Sequence, residues 1–166
     1  MRVLERTAVV EDTGAFLDSL AEVRDEHNVA VQALDARYVV SSLHVKEAVG
    51  KAKRSFEREE NVADTLSMEI LLYSAGTRQI DVATRMGLRL GEHDAVFVVV
   101  GDSETAEEDA AKEIRGMTHE PEEFVYGDEE HLLDFFGLTD EELGAVGDDR
   151  LEYLVLERVA LLDVNK

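Results

Sequence analysis

The 166-residue sequence contains no cysteine and no tryptophan, a single proline, and only 6% aromatic residues. Without cysteine there are no disulfides, no thiolate zinc sites and no cysteine nucleophile. No apolar run approaches the roughly 20 residues that a membrane-spanning helix requires. The N-terminus also lacks the charged, then apolar, then small-residue order of a signal peptide. The expectation is a soluble, cytoplasmic protein without a membrane partner. Basic residues are scarce as well: 17 stand against 38 acidic ones, for a formal charge of −21. Self-repulsion of that size opposes a compact state. Molar salt shrinks the Debye length to about 3 Å and screens it. Because the acids run the length of the chain, they read as a halophilic trait rather than as a surface built for a basic partner.

What is present is a 45% apolar chain long enough for one packed core, taken as a single domain over residues 1–166. Residues 2–10 are rich in β-branched types and read as a strand. Residues 14–26 repeat Phe16, Leu17, Leu20 and Val23 at helical spacing, with Asp12 or Thr13 as the cap. Residues 28–40 read as one or two strands interrupted around Asp35. Ser41 or Ser42 caps a helix over 43–58 whose stripe is Val45, Ala48, Val49, Ala52 and Phe56. Asp64 or Thr65 opens a helix carrying Met68, Leu71, Leu72 and Ala75 toward a core, and Gly76 ends it in the left-handed region. Thr77 is placed as the cap of a helix over 78–87. Residues 95–100, AVFVVV, suit a central strand buried on both faces. Helices follow over 104–116, 128–136, 139–145 and 150–163. The pattern specifies an α/β (mixed α+β) fold, a central mixed sheet flanked by helices.

The distribution of charge is more informative than its total. Residues 37–91 hold nine basic and seven acidic side chains, a balance of +2, which leaves −23 for the rest. Suspension of a global trait in one window marks a candidate binding surface. On helix 43–58, Lys51, Arg54 and Arg58 share one face, with Lys46 and Lys53 in an adjacent row. Glu47 can pair with Lys51 and Glu57 with Lys53, so a solvated helix laced with ion pairs is the competing reading. Arg78 and Gln79 fall in the expected first turn of their helix, where the dipole disfavours a cation but free N–H groups suit a phosphate or base edge. Arg78 pairing with an acid elsewhere is the alternative, and Arg85 can pair with Asp81.

Signatures of catalysis are sparse. There is no Walker-type glycine loop and no paired-histidine zinc helix. Gly101-Asp102-Ser103 precedes a helix that opens with Glu104, Glu107 and Glu108, which repel a phosphate, so Ser103 reads as a cap. His27, His44, His93, His119 and His131 are scattered singly, and no metal or cofactor is expected. His119 lies in a loop with Glu120, Glu122 and Glu123, read as solvated. His44 reads as structural, with a polar contact to a ligand as the alternative. The terminal helix is apolar on two sides, one with Leu151, Leu154, Val155, Val159 and Leu162, the other with Leu156, Ala160 and Leu161. Such a helix is buried or shares its surface with another chain.

Three segments occur together: Ser-x-x-His-Val-x-x-Ala within 41–52, Glu-Ile-Leu-Leu-Tyr-x-Ala-Gly-Thr-Arg-Gln-Ile over 69–80, and Leu-Glu-Arg-Val-Ala-Leu-Leu-Asp over 156–163. In this order they resemble the PRPK-binding protein family, the small regulatory subunit of the KEOPS (EKC) complex. The resemblance implies a non-enzymatic subunit that binds the kinase/ATPase subunit and supports threonylcarbamoylation of the tRNA adenosine next to the anticodon. It also implies capture of the single-stranded CCA end of tRNA. Lys51, Arg54, Thr77, Arg78 and Gln79 are the candidate tRNA contacts. Stacking would fall to Tyr73, aliphatic side chains or the Arg78 plane. Leu151, Leu154, Leu156 and Leu161 are the candidate partner contacts. Two other readings remain: a small ligand-binding or hydrolytic α/β domain using Ser103, Asp102 and His93, or a kinase adaptor without RNA affinity.

Overall fold

The computed structural model describes residues 1–144 and 150–165. Among them the chain forms three strands and eight α-helices: β1 (Arg2–Val10), α1 (Thr13–His27), β2 (Ala30–Asp35), α2 (Ser42–Glu57), α3 (Leu66–Ala75), α4 (Ile80–Ala83), β3 (Gly91–Val100), α5 (Glu104–Gly116), α6 (Glu129–Phe136), α7 (Asp140–Gly144) and α8 (Arg150–Asn165). Short 3-10 turns cover Ala36–Tyr38 and Thr84–Met86. The helix expected over 139–145 is α7; its last residue lies outside the described residues. Among the described residues no helix is long and apolar enough to cross a membrane. The fold is of the α/β class, divided into two compact units: residues 1–36 with 87–125, and residues 37–86 with 126–166.

The first unit is built on the sheet. Its order is β1-β3-β2, and both outer strands run antiparallel to β3. The apolar run at 95–100 predicts the central strand, and β3 takes that place, extended back to Gly91. Val96, Phe97, Val98 and Val99 are all fully buried, so both faces of the strand are covered. Leu4 and Ala33 flank Phe97 in register, and Val31 lies beside Val99. That face carries the core with Leu20 and Val23 of α1 and Ala110, Ala111 and Ile114 of α5. The Phe16 ring packs tilted on Phe97, 6.4 Å between centroids. Asp12 caps α1 through the Ala15 N–H, and Ser103 caps α5 through the Ala106 N–H. The segment 28–40 yields one strand rather than two, because the chain turns into the 3-10 segment directly after Asp35. His119, Glu120, Glu122 and Glu123 are exposed, as a solvated acidic loop requires, and the His119 backbone exchanges two 2.8 Å hydrogen bonds with Thr7, occupying part of the open edge of β1.

The second unit is helical. On α2, residues Val45, Ala48, Val49 and Ala52 face inward, while Lys46, Lys53, Arg54 and the C-cap residue Arg58 are exposed. This separation follows from 3.6-residue periodicity. Helix α3 departs from the expected one-sided stripe, since every residue from Glu69 to Ala75 is buried. A helix enclosed all round must satisfy each polar side chain internally. Glu69 accepts from the Ser55 hydroxyl at 2.7 Å and from the backbone N–H groups of Val62 (3.1 Å) and Ala63 (3.0 Å). The Ser74 hydroxyl donates to the Ile70 carbonyl.

Candidate functional site

The site begins where α3 stops. Gly76 takes φ +63, and its N–H and that of Thr77 close the helix end on the carbonyls of Leu72 and Tyr73. A side chain at position 76 would meet two obstacles. The left-handed conformation penalises Cβ, and that Cβ would lie 3.2 Å from the Arg158 carbonyl oxygen of α8. Gly76 therefore lets the end of α3 lie directly on α8. Arg158 is itself held, its Nε donating to the Phe136 carbonyl at 3.3 Å and its guanidinium lying 3.5 Å from Glu142.

After Gly76 the local structure differs from the expected helix over 78–87. Only Ile80–Ala83 is α-helical, followed by the 3-10 turn. Gln79 occupies the cap position without a side-chain cap bond. The Thr77 hydroxyl accepts the Gln79 N–H at 3.1 Å, so it shapes the joint rather than capping a helix. Arg78 and Gln79 precede the helix and are exposed. A single turn of helix provides no sizeable dipole, so anion attraction at this joint rests on the Arg78 guanidinium and not on a helix terminus.

Lys51, on α2, meets α8 at Asp163, about one and a half turns beyond Arg158. Its ammonium is 3.3 Å from Asp163 Oδ2, not paired with Glu47 as the spacing allowed, and its side chain is only 16% exposed. The other oxygen of Asp163 accepts the hydroxyl of Tyr73. Tyr73 is fully buried and is thus unavailable for stacking on a base. The five-residue step from Arg158 to Asp163 spans about 8 Å of helix axis. Gly76 and the Lys51 ammonium thus both meet α8. Arg54 is exposed and lies across its own helix, a guanidinium nitrogen 3.5 Å from the position a Cβ on Gly50 would take. Arg85 pairs with Asp134 at 3.7 Å and sits 5.4 Å over the Phe135 ring, in place of the expected Asp81 contact.

His44 fixes α2 against α3. Its Nε2 donates to the Ser74 carbonyl at 2.8 Å, and its Nδ1 accepts the Val40 N–H at 3.2 Å. Burial pushes its pKa down to about 4, opposed by the bond to Ser74 and the charge of Glu152. Both nitrogens are engaged inside the protein, which leaves none to reach a ligand.

The four leucines proposed for a partner separate on α8. Leu154 is buried at 2% exposure and belongs to the protein's own core, Leu151 and Leu156 are half-buried, and Leu161 is exposed. Two residues missed by the sequence reading extend the exposed side, Tyr153 at 57% and Val164 at 77%. Their spacing from Leu161, eight and three residues, is a helical repeat legible in the sequence once the buried side is known.

The hydrolytic reading finds no support in the geometry of its residues. Ser103 is engaged as the α5 cap, and the Gly101 N–H is taken by Glu107 at 2.9 Å. His93 Nδ1 lies 3.2 Å from the Gly91 carbonyl, and its Nε2 accepts the Arg89 N–H at 3.4 Å. His27 lies with two acids: the ligand atoms of Glu26, His27 and Glu113 lie within 4.8 Å of one another at the protein surface.

The second unit thus carries exposed basic side chains on α2 and exposed apolar ones on α8. The chain belongs to the CGI-121 family of kinase-binding proteins, whose model matches residues 9–163. No curated protein matches it.

Proposed function

We propose that this protein is a non-catalytic regulatory subunit of the KEOPS complex, docking on the kinase/ATPase subunit and recruiting tRNA by its 3' CCA end for threonylcarbamoyladenosine formation. The observation that carries the RNA part is the convergence on α8 of Gly76 and Lys51, inside the acid-poor segment of a chain of charge −21. In such a chain, RNA phosphates are repelled almost everywhere else. Thr77, Arg78 and Gln79 would meet the single-stranded end, with Arg54 and Lys51 on backbone phosphates. The exposed side of α8, Tyr153, Leu161 and Val164, with the half-buried Leu151 and Leu156 beside it, is the surface offered to the kinase.

Binding of tRNA with and without its CCA end tests the RNA part. Removal of CCA should weaken binding at least tenfold, and Arg78→Glu with Arg54→Glu should do the same. If intact tRNA, CCA-less tRNA and the variants all bind alike, the site is elsewhere. If no tRNA binds while the kinase-like subunit still co-purifies, the protein is an adaptor without RNA affinity. Leu161→Asp with Val164→Asp should abolish that co-purification, and retention would move the kinase surface away from α8.

A further inference from the structure

The pairing of Lys51 with Asp163 has a consequence for how the site is used. We propose that Asp163 is a built-in competitor of RNA: its carboxylate occupies the place of a phosphate on Lys51, and binding requires that it be displaced. The inference rests on the tRNA reading above and concerns the regulation of that same site.

Three observations support it. The Lys51 ammonium, on α2, meets Asp163 Oδ2 at 3.3 Å, and the Tyr73 hydroxyl donates to Oδ1, so one carboxylate is held by a cation and a hydroxyl from two different helices. The Lys51 ammonium suits a phosphate equally well, since it donates to any anionic oxygen, whereas the buried Tyr73 hydroxyl serves only to hold the carboxylate. Second, the exposures differ. Asp163 is 46% exposed on its side chain, whereas Lys51 is 16% exposed and Tyr73 is closed off entirely. The acid is thus the outer member, and a ligand approaching from solvent meets it before either donor. Third, Asp163 is near the end of α8, which gives it freedom to turn outward without disturbing Leu154, Val155 and Val159 in the core.

A half-exposed ion pair of this kind is worth little against solvent. It is strong enough to keep Lys51 from loose, non-specific anions and weak enough to yield to a correctly placed phosphate. The competitor therefore trades affinity for selectivity. It also makes this contact sensitive to any partner that packs on α8 beside Asp163.

The test is tRNA affinity of the full-length chain measured at fixed salt for wild type, Asp163→Asn, Lys51→Met and the double variant. D163N should bind about three- to tenfold more tightly, the scale of one competing ion pair plus one like charge removed. Most of that gain should be lost in the K51M background, leaving only the part due to the removed like charge. Tyr73→Phe, which loosens the hold on Asp163 without altering Lys51, should tighten binding about twofold and serves if D163N does not fold. A wild-type protein that binds tRNA while D163N and Y73F bind equally or less tightly overturns the competitor and leaves the tRNA reading standing. If neither wild type nor D163N binds any tRNA, the tRNA reading itself fails, and the competitor with it.

Discussion

The two units solve the problem of excess negative charge differently. The sheet unit, residues 1–36 and 87–125, carries 6 basic and 19 acidic residues. Three of its arginines are tied down: Arg6 to Thr118, Arg89 to Asp35 and Arg115 to Glu108. The helical unit has 11 basic residues against the same 19 acids, and over 37–86 the balance is +1. There Lys46, Lys53, Arg54 and the C-cap residue Arg58 stand exposed on α2. In the first unit the bases brace a scaffold; in the second, several are presented to solvent. Buried polar groups do not divide this way: Asp35, His93, Glu107 and Thr118 lie in the first unit and His44, Ser55, Ser67, Glu69 and Ser74 in the second. Those of α3 are numerous because a helix enclosed on every side has no wet face on which to place them.

The contrast is broken most forcefully through the sheet core. Phe97→Ala should cost about 3–5 kcal/mol of stability, since a fully buried ring is replaced by a void. Denaturant unfolding measures the loss. tRNA affinity, taken well below the melting midpoint, should be unchanged. A large drop in affinity would mean that the scaffold and the binding surface are not separable in this way.

Acid titration should sharpen the role of His44. Its folded pKa, about 4, lies below the ordinary 6.5, so between those values the unfolded chain binds the extra proton. The stabilisation from a neutral buried His44 is complete above about pH 6.5 and lost as pH falls toward 4, amounting to about 3 kcal/mol. Carboxylates titrate in the same range, so the informative quantity is the difference between wild type and His44→Asn. A difference that does not change between pH 7 and pH 4 would remove His44 as the cause.

A smaller effect is expected at the joint. Gly76→Ala should destabilise by about 1–2 kcal/mol, the penalty for a Cβ in the left-handed region, with added crowding against the Arg158 carbonyl. Thermal unfolding reports the cost, and tRNA affinity should fall with it because Arg78 and Gln79 are displaced. The last effect concerns Arg78→Glu and the salt dependence of tRNA binding: the slope of log affinity against log salt should drop by about 1. An unchanged slope would show that Arg78 meets no phosphate.

Much of this architecture was legible in the sequence because the signals are local. Asp12, Ser41, Thr65 and Ser103 cap the helices as their spacing implied. Gly76 takes the left-handed conformation, and the AVFVVV run is the middle strand. The helix over 78–87 misled because its apolar positions, Ile80, Ala83 and Met86, fit a helical period even though only one turn forms. Leu154 and Leu161 look alike in a sequence, and nothing local says that one is core and the other surface. Tyr73 looked like a stacking platform for the same reason.

The caps, the periodicities, the acid-poor window and the family likeness are properties of short stretches or of counts, and each is readable along the chain. What each charge does is a matter of packing. Lys51 and Asp163 are 112 residues apart, His44 and the Ser74 carbonyl 30, and Gly76 meets a backbone carbonyl of α8 from the far end of the chain. Pairings at such separations depend on how helices pack, and packing is set by the summed burial of many side chains. No local pattern contains that sum, which is why the residue first taken for a plain RNA contact emerged with an acid already in its grip.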